Sequence, residues 1–71
     1  MITIYQDDKT HKNYYVFDRK IKSDAALITI ARHTHYPKTR LQIIPVWILE
    51  DELYLRSKRG ATKMFAIITK G

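Results

Sequence analysis

One apolar stretch constrains this chain more than any other feature. Residues 41–49 read LQIIPVWIL, which is the longest apolar run and contains the only tryptophan, Trp47. Acidic residues follow at 50–52, and apolar and polar side chains then alternate over 53–56. Runs rich in β-branched and aromatic residues that are separated by a polar turn indicate paired strands. The sequence therefore predicts a hairpin at the centre of one small sheet.

Two features of this hairpin are unusual. Pro45 has no N–H to donate to a ladder, which predicts that strand 41–49 is an edge strand or is bulged at the proline. Residues 50–52 lack the Asn-Gly or Asp-Gly of tight hairpins. A helix over residues 46–56 is the alternative, since several of its apolar residues recur at helical spacing. The β-branched residues of the run favour the strand.

The remainder of the chain predicts a second hairpin, one helix and a last strand. Ser23 is a suitable N-cap, apolar residues then recur at helical spacing, and the Tyr36-Pro37 pair ends the helix because the residue before proline disfavours the α region. Gly60 can supply positive φ in the turn before the last strand. The predicted elements are strands 2–5, 14–21, 41–49, 53–56 and 63–69, and a helix over 23–35.

These elements predict one α+β domain over residues 1–71, in the order β-β-α-β-β-β. The sheet should be mostly antiparallel, with the helix packed on one face through Leu27, Ile30 and Ala31, close to Trp47 or its neighbours. A chain of 71 residues buries only roughly 60% of its unfolded surface, and the absence of cysteine excludes disulfides and thiolate metal sites. No signal peptide or membrane span is evident, so we expect a cytoplasmic protein without a membrane partner.

The charge of the chain suggests a polyanionic partner. Thirteen Lys and Arg against seven Asp and Glu give a net charge of +6. If the last two strands formed a hairpin, the strand directions would gather most cations and all three histidines at one end of the sheet. The residues predicted to contact nucleic acid at this end are Lys9, Lys12, Arg32, His33, His35, Tyr36, Lys38, Arg40, Arg56, Lys58, Arg59 and Lys63.

The predicted function is binding of RNA or single-stranded DNA, with RNA favoured, low sequence selectivity and no catalysis. Lys38, Arg40, Lys58 and Arg59 are the expected core contacts, because they lie in connections that can reach phosphates. Tyrosines on one sheet face could add stacking surfaces beside Arg56. The tyrosines considered for this role are Tyr5, Tyr14 or Tyr15, and Tyr54.

The histidines admit two catalytic or metal alternatives. His33 and His35 are two residues apart and do not share a helix face, and no established metal-ligand spacing is present, so we predict no metal and no cofactor. His11, His33 and His35, with nearby arginines, could serve a small metal-independent ribonuclease. Nothing in their spacing singles them out, and we predict no enzyme.

A protein-interaction module that modulates a larger enzyme is the alternative function. Strands 41–49 and 63–69 are apolar at nearly every position, so both of their faces require cover, and one helix is too small to shield both sides of the sheet. The sequence therefore predicts a homodimer or a subunit with a protein partner. Ile44, Val46 and Trp47 are the expected interface residues.

Overall fold

The computed structural model describes residues 2–18 and 23–70, and of Ser23 only the backbone. It confirms the predicted α+β domain with one helix and a five-stranded antiparallel sheet. The elements are β1 (Thr3–Gln6), β2 (Asn13–Phe17), α1 (Ser23–Thr34), a 3-10 turn (Lys38–Arg40), β3 (Leu41–Leu49), β4 (Glu52–Tyr54) and β5 (Thr62–Thr69).

Parts of three predictions lie outside the described residues. These are the extension of the second strand through residues 19–21, the cap formed by the Ser23 side chain, and the prediction that cations outside the basic end, among them Arg19, Lys20 and Lys22, lie at the other end of the sheet. The alternative helix over residues 46–56 is wrong, because β3, a two-residue turn and β4 occupy this stretch.

The order of the strands is β1-β2-β5-β3-β4, which corrects the prediction in one respect. The last strand, β5, lies in the centre between β2 and β3, and the predicted central hairpin of β3 and β4 forms one side of the sheet. β5 carries a run of buried residues, whereas β4 has three residues, one of them charged. Burial on both faces favours the apolar strand at the centre, and a short charged strand is typical of an edge.

β3 is a central strand over part of its length and an edge strand over the rest. It pairs with β5 from Leu41 to Ile48 without a break in register, and with β4 only from Trp47 to Leu49. Pro45 therefore lies where no strand of the described residues pairs with the outer side of β3. The missing N–H is tolerated on that side, so the predicted edge position is confirmed at Pro45 and the alternative bulge is absent from the β3–β5 ladder.

The β3–β4 turn is tight although it lacks glycine. Leu49 pairs with Glu52, so Glu50 and Asp51 alone form the loop, and their φ angles are 51° and 63°. Two central residues with positive φ define the type I′ turn, whose twist matches that of the flanking strands. The left-handed region costs a residue with a Cβ about 1–2 kcal/mol. The sequence predicted a turn at 50–52 but not its two-residue type I′ form, because the Asn-Gly or Asp-Gly pair typical of that form is absent.

Replacing Glu50→Asn and Asp51→Gly should stabilise the protein by about 1–2 kcal/mol, because the new residues tolerate positive φ. We expect the midpoint of thermal unfolding to rise by about 4–8 °C for each kcal/mol. Asp8→Gly is the matched control, since Asp8 also lies in a hairpin turn and its φ is not positive. The control should lower the midpoint, and a rise of equal size in both proteins would contradict the turn type.

The helix packs on one face of the sheet and covers part of it. Ala26 and Ile30 are buried, and Leu27 and Ala31 pack beside them against Ile67. This confirms the predicted inner face of the helix, although Trp47 lies outside the core cluster that the helix completes. α1 ends at Thr34 because His35 adopts a φ of 62°, a common helix-terminating conformation. No helix in the described part of the chain is long and apolar enough to cross a bilayer.

The opposite face of the sheet is concave. Tyr5 of β1 and Leu53 of β4 line one cavity, although a flat sheet would hold its first and fifth strands about 19 Å apart. The curl buries Val16, Val46 and Ala66 to 1% exposure or less. These three side chains therefore need no second molecule to cover them, which removes part of the reason for predicting a partner on this face.

Candidate nucleic-acid interface

The predicted cations lie at two ends of the sheet and not at one. We call the end where Leu41 pairs with Thr69 the upper end, and the end where Ile48 pairs with Thr62 the lower end. At the usual rise of a strand, the two ends are about 23 Å apart. β4 and β5 are both antiparallel to β3, so they run in the same direction and the connection 55–61 returns to the lower end. The predicted hairpin of the last two strands is wrong, and with it the single basic pole.

The upper basic group lies around the β1–β2 turn, the end of α1 and the start of β3. The N–H of Lys70 donates to the Arg40 carbonyl oxygen at 2.9 Å, which adds Lys70 to this end. Tyr36 is 45% exposed, and the Arg40 guanidinium is 6.0 Å from the centroid of its ring. The upper basic group consists of Lys9, Lys12, Arg32, Lys38, Arg40 and Lys70, and His11, His33, His35 and Tyr36 lie beside it.

At the lower end, aromatic and basic side chains share one sheet face. Trp47 is the register partner of Lys63 on β5 and of Tyr54 on β4, so the three side chains form a row across adjacent strands. Phe65 and Pro45 form the next row on the same face. We call Trp47, Tyr54, Lys58, Lys63 and Phe65 the aromatic–basic strip.

Cations of the strip lie on its aromatic rings. The Lys58 ammonium is 3.9 Å from the centroid of the Tyr54 ring, and the Lys63 ammonium is 5.9 Å from that of Phe65. Both distances are within the range of cation–π attraction. The Tyr54 hydroxyl donates a 2.8 Å hydrogen bond to the Glu52 carboxylate, which fixes the ring at the sheet edge. Trp47, Tyr54 and Phe65 are half-buried, so part of each side chain reaches solvent.

The other residues of the lower end lie in the connection 55–61. Arg56, Lys58 and Arg59 are all exposed, and the Ala61 N–H donates to the Lys58 carbonyl oxygen at 3.1 Å. Gly60 has a φ of 84°, as predicted, at the position where a type II turn requires glycine. The turn thus holds Lys58, which belongs to the strip, and Arg59, which follows it in the chain.

Most of the tyrosines considered as stacking surfaces are not exposed on the strip. Tyr5 and Tyr14 lie on the concave face, and Tyr15 is 8% exposed beneath the helix. Tyr54 is the one that joins the strip. Side chains alternate between the two faces of a strand, so Tyr14 and Tyr15 cannot serve the same surface.

The three histidines lie at the upper end, as predicted, and each has a structural explanation. His11 and His35 have φ angles of 58° and 62°, a conformation in which histidine is enriched among residues with a Cβ. The His33 ring packs edge-on against Tyr15, with 6.1 Å between ring centroids. No group of three potential metal ligands occurs among the described residues.

The residues predicted for a protein interface do not form one patch. Val46 is fully buried, and Ile44 packs with it on the concave face. Trp47 faces the other way, because neighbouring residues of a strand point to opposite faces. Trp47 therefore belongs to the strip, and Ile44 and Val46 belong to the core.

Phe65 was missed by the sequence analysis, and a signal for it was present. Side chains alternate between the two faces of the sheet along 63–69. Lys63 and Phe65 therefore lie on the same face as Ile67, which is the face that the helix covers. The sequence does not show that β3 is the neighbour of this strand, and that neighbour brings Trp47 beside Lys63.

Comparisons with known proteins give no functional assignment. No protein-family model matches the chain, and no curated protein or solved structure is significantly similar to it.

Proposed function

We propose that this protein binds single-stranded nucleic acid, RNA ahead of DNA, without catalysing a reaction on it. The observation that supports this proposal most is the aromatic–basic strip, in which Lys63, Trp47 and Tyr54 form one row over three strands. Bases stack on exposed aromatic rings while cations beside them contact phosphates, and a sheet can present both. The strip thus replaces the single basic pole as the proposed centre of binding.

The strip suits a single strand better than a duplex. Its rings are half-buried, and an aromatic side chain stacks on a base whose face is free, as the bases of a single strand are. Lys58, Arg59 and Lys63 can neutralise phosphates on either side of the stacked bases. Stacking and phosphate contacts do not distinguish one base from another, so low sequence selectivity is expected.

The upper basic group gives a second, electrostatic contact in this proposal. It lies at the opposite end of the sheet, whose two ends are about 23 Å apart, and a single strand long enough to span the sheet would meet both groups. Lys38 and Arg40 lie in and beside the 3-10 turn and are exposed. Their contribution should disappear as salt increases, whereas stacking on the strip should remain.

A salt titration tests the proposal. The affinity of wild-type protein should be measured for RNA, single-stranded DNA and duplex DNA of equal length, and should be highest for RNA. For single strands, log K should fall by about 0.7 per neutralised phosphate for each tenfold increase in salt concentration. Lys58→Ala/Arg59→Ala should reduce this slope by about 1.4. Lys9→Ala/Lys12→Ala, a matched pair in the upper turn, should reduce the slope by a similar amount but cost less affinity at high salt, where stacking on the strip remains. An unaltered slope in the first variant, or no binding at low salt, would contradict the proposal.

A protein partner or a second copy is the second candidate, supported by the outer edge of β1. Ile4 on this strand is 53% exposed and Ile28 on the helix is 42% exposed, and a groove of about 200 Å³ lies between β1 and α1. An open strand edge beside apolar side chains is a common site of strand addition. Analytical sedimentation at a protein concentration on the order of tens of micromolar tests self-association. A stable dimer would support this candidate, and a monomer would contradict self-association.

A further inference from the structure

The concave face contains a cleft whose charge is opposite to that of the chain. Its volume is about 520 Å³, within the usual range for small-molecule sites. It is lined by Asp7, Asp8, Asp51 and Glu52, which are four of the seven acidic residues in a chain of net charge +6. No lysine or arginine of the described residues lines it. We call this cavity the acidic cleft.

The carboxylates of the acidic cleft are not all used within the protein. Asp7 accepts a 2.9 Å hydrogen bond from the backbone N–H of Lys9, which lowers the pKa of Asp7. Glu52 accepts the Tyr54 hydroxyl. Within the described residues, Asp8 and Asp51 have no hydrogen-bonded or ion-pair partner. Two carboxylates are thus available to a ligand.

Tyr14 is a second and independent indication of a ligand. Its side chain is 9% exposed, and its hydroxyl has no hydrogen-bond partner among the described residues. Every fully buried side-chain oxygen or nitrogen in the described part has a partner, so the Tyr14 hydroxyl reaches solvent. Tyr14 lines the acidic cleft and is the register partner of Tyr5, so both tyrosines belong to its wall. A buried ring with an unused hydroxyl in a cavity is suited to a hydrogen-bonding ligand.

We propose that the acidic cleft binds an ammonium or guanidinium group carried on an aliphatic chain. Asp8 and Asp51 would neutralise the cation, and the Tyr14 hydroxyl would accept one of its N–H groups. The ring of Tyr5, which is only partly buried, can attract the cation as well. Leu53 and Leu55 supply apolar lining for the aliphatic part. Such a ligand is the side chain of lysine or arginine on a partner peptide, or a free polyamine.

The residues proposed to hold the cation, Asp8, Asp51 and Tyr14, are not part of the aromatic–basic strip. Glu52 links the two sites, because it lines the cleft and its carboxylate accepts the Tyr54 hydroxyl. Tyr5 and Tyr14 belong to the concave core, whereas Phe65 of the strip belongs to the helix-bearing core. The carboxylates would repel phosphates, which leaves the strip as the face available to RNA. Loss of one binding activity should therefore leave the other intact.

Calorimetric titration with two probes tests the site. Spermidine and a short arginine-containing peptide should each be added to wild-type protein, to Asp8→Asn/Asp51→Asn and to Tyr14→Phe. We expect binding to wild type, a loss of about tenfold in the first variant, and a loss of about threefold to tenfold in the second. Asp24→Asn, which changes an exposed acid on the helix, should bind as wild type does.

The outcomes separate the two sources of the ligand. Binding of the peptide alone assigns the site to a protein side chain, and binding of spermidine alone assigns it to a polyamine. Tyr14→Phe removes one oxygen atom and should keep its thermal midpoint, so a weaker affinity in this variant is not the result of unfolding. The proposal is overturned if neither probe binds wild type, or if both variants bind as wild type does. RNA affinity of Asp8→Asn/Asp51→Asn should not fall below the wild-type level in any case, because the change removes negative charge.

Discussion

Ile67→Ala should remove about half of the stability of this protein. Ile67 is fully buried in the central strand, and its register partners are Tyr15 on β2 and Ile43 on β3. Truncation of a buried isoleucine to alanine costs about 2–5 kcal/mol, because transfer energy is lost and a cavity remains. A domain of this length is stable by only about 4–10 kcal/mol. Urea unfolding followed by circular dichroism should therefore show a large fall in midpoint.

Ile4→Ala is the matched control for this substitution. Ile4 lies on the edge strand β1, pairs with Tyr15 and is 53% exposed, so the same change removes little buried surface. We expect a loss of about 0.5–1 kcal/mol. Equal losses at the two positions would show that β5 is not the centre of the sheet.

Trp47→Leu/Lys63→Gln should weaken RNA binding by about ten- to hundredfold. Stacking of one base on an aromatic ring contributes about 1–3 kcal/mol, and Lys63 supplies a phosphate contact beside it. Leucine keeps the apolar bulk that packs on the sheet and removes the ring face. Affinity should be measured at low and at high salt, with thermal unfolding to verify the fold.

Tyr36→Leu/Arg40→Gln is the corresponding change at the upper end. It also removes one aromatic ring and one cation from a neighbouring pair, whose separation is 6.0 Å. Both variants lose one positive charge, so both salt slopes should fall by about 0.7. The strip variant should lose far more affinity at high salt, where stacking is the main remaining term. A larger loss in the upper variant would move the stacking site to Tyr36.

The sequence predicted those parts of the fold that depend on local pattern. β3 has the predicted bounds because β-branched residues fill most of 41–49, and α1 begins where its apolar spacing begins. Strand order depends on which strands become neighbours, and no local pattern reports that. β5 was therefore predicted beside β4, although burial of Ala66, Ile67 and Ile68 draws it to the centre.

The candidate site was predictable only in its components. The sequence indicated basic or stacking roles for Lys58, Lys63 and Tyr54. It did not predict the strand pairing that brings these residues together around Trp47. Ile44 and Trp47 were grouped together, although an odd spacing along a strand places them on opposite faces. The type I′ turn escaped prediction because Glu50 and Asp51 adopt positive φ without glycine.

The indole N–H resonance of Trp47 gives the most direct measurement of the central claim. It is unique in the spectrum, because the chain contains one tryptophan. Titration of labelled protein with a single-stranded RNA of about 12 nucleotides should shift this resonance, together with the amides of Lys63 and Phe65. The amides of Tyr5 and Tyr14 on the concave face should stay in place. RNA that binds without moving the Trp47 resonance, or that moves only residues of the upper end, would contradict the aromatic–basic strip as the binding surface.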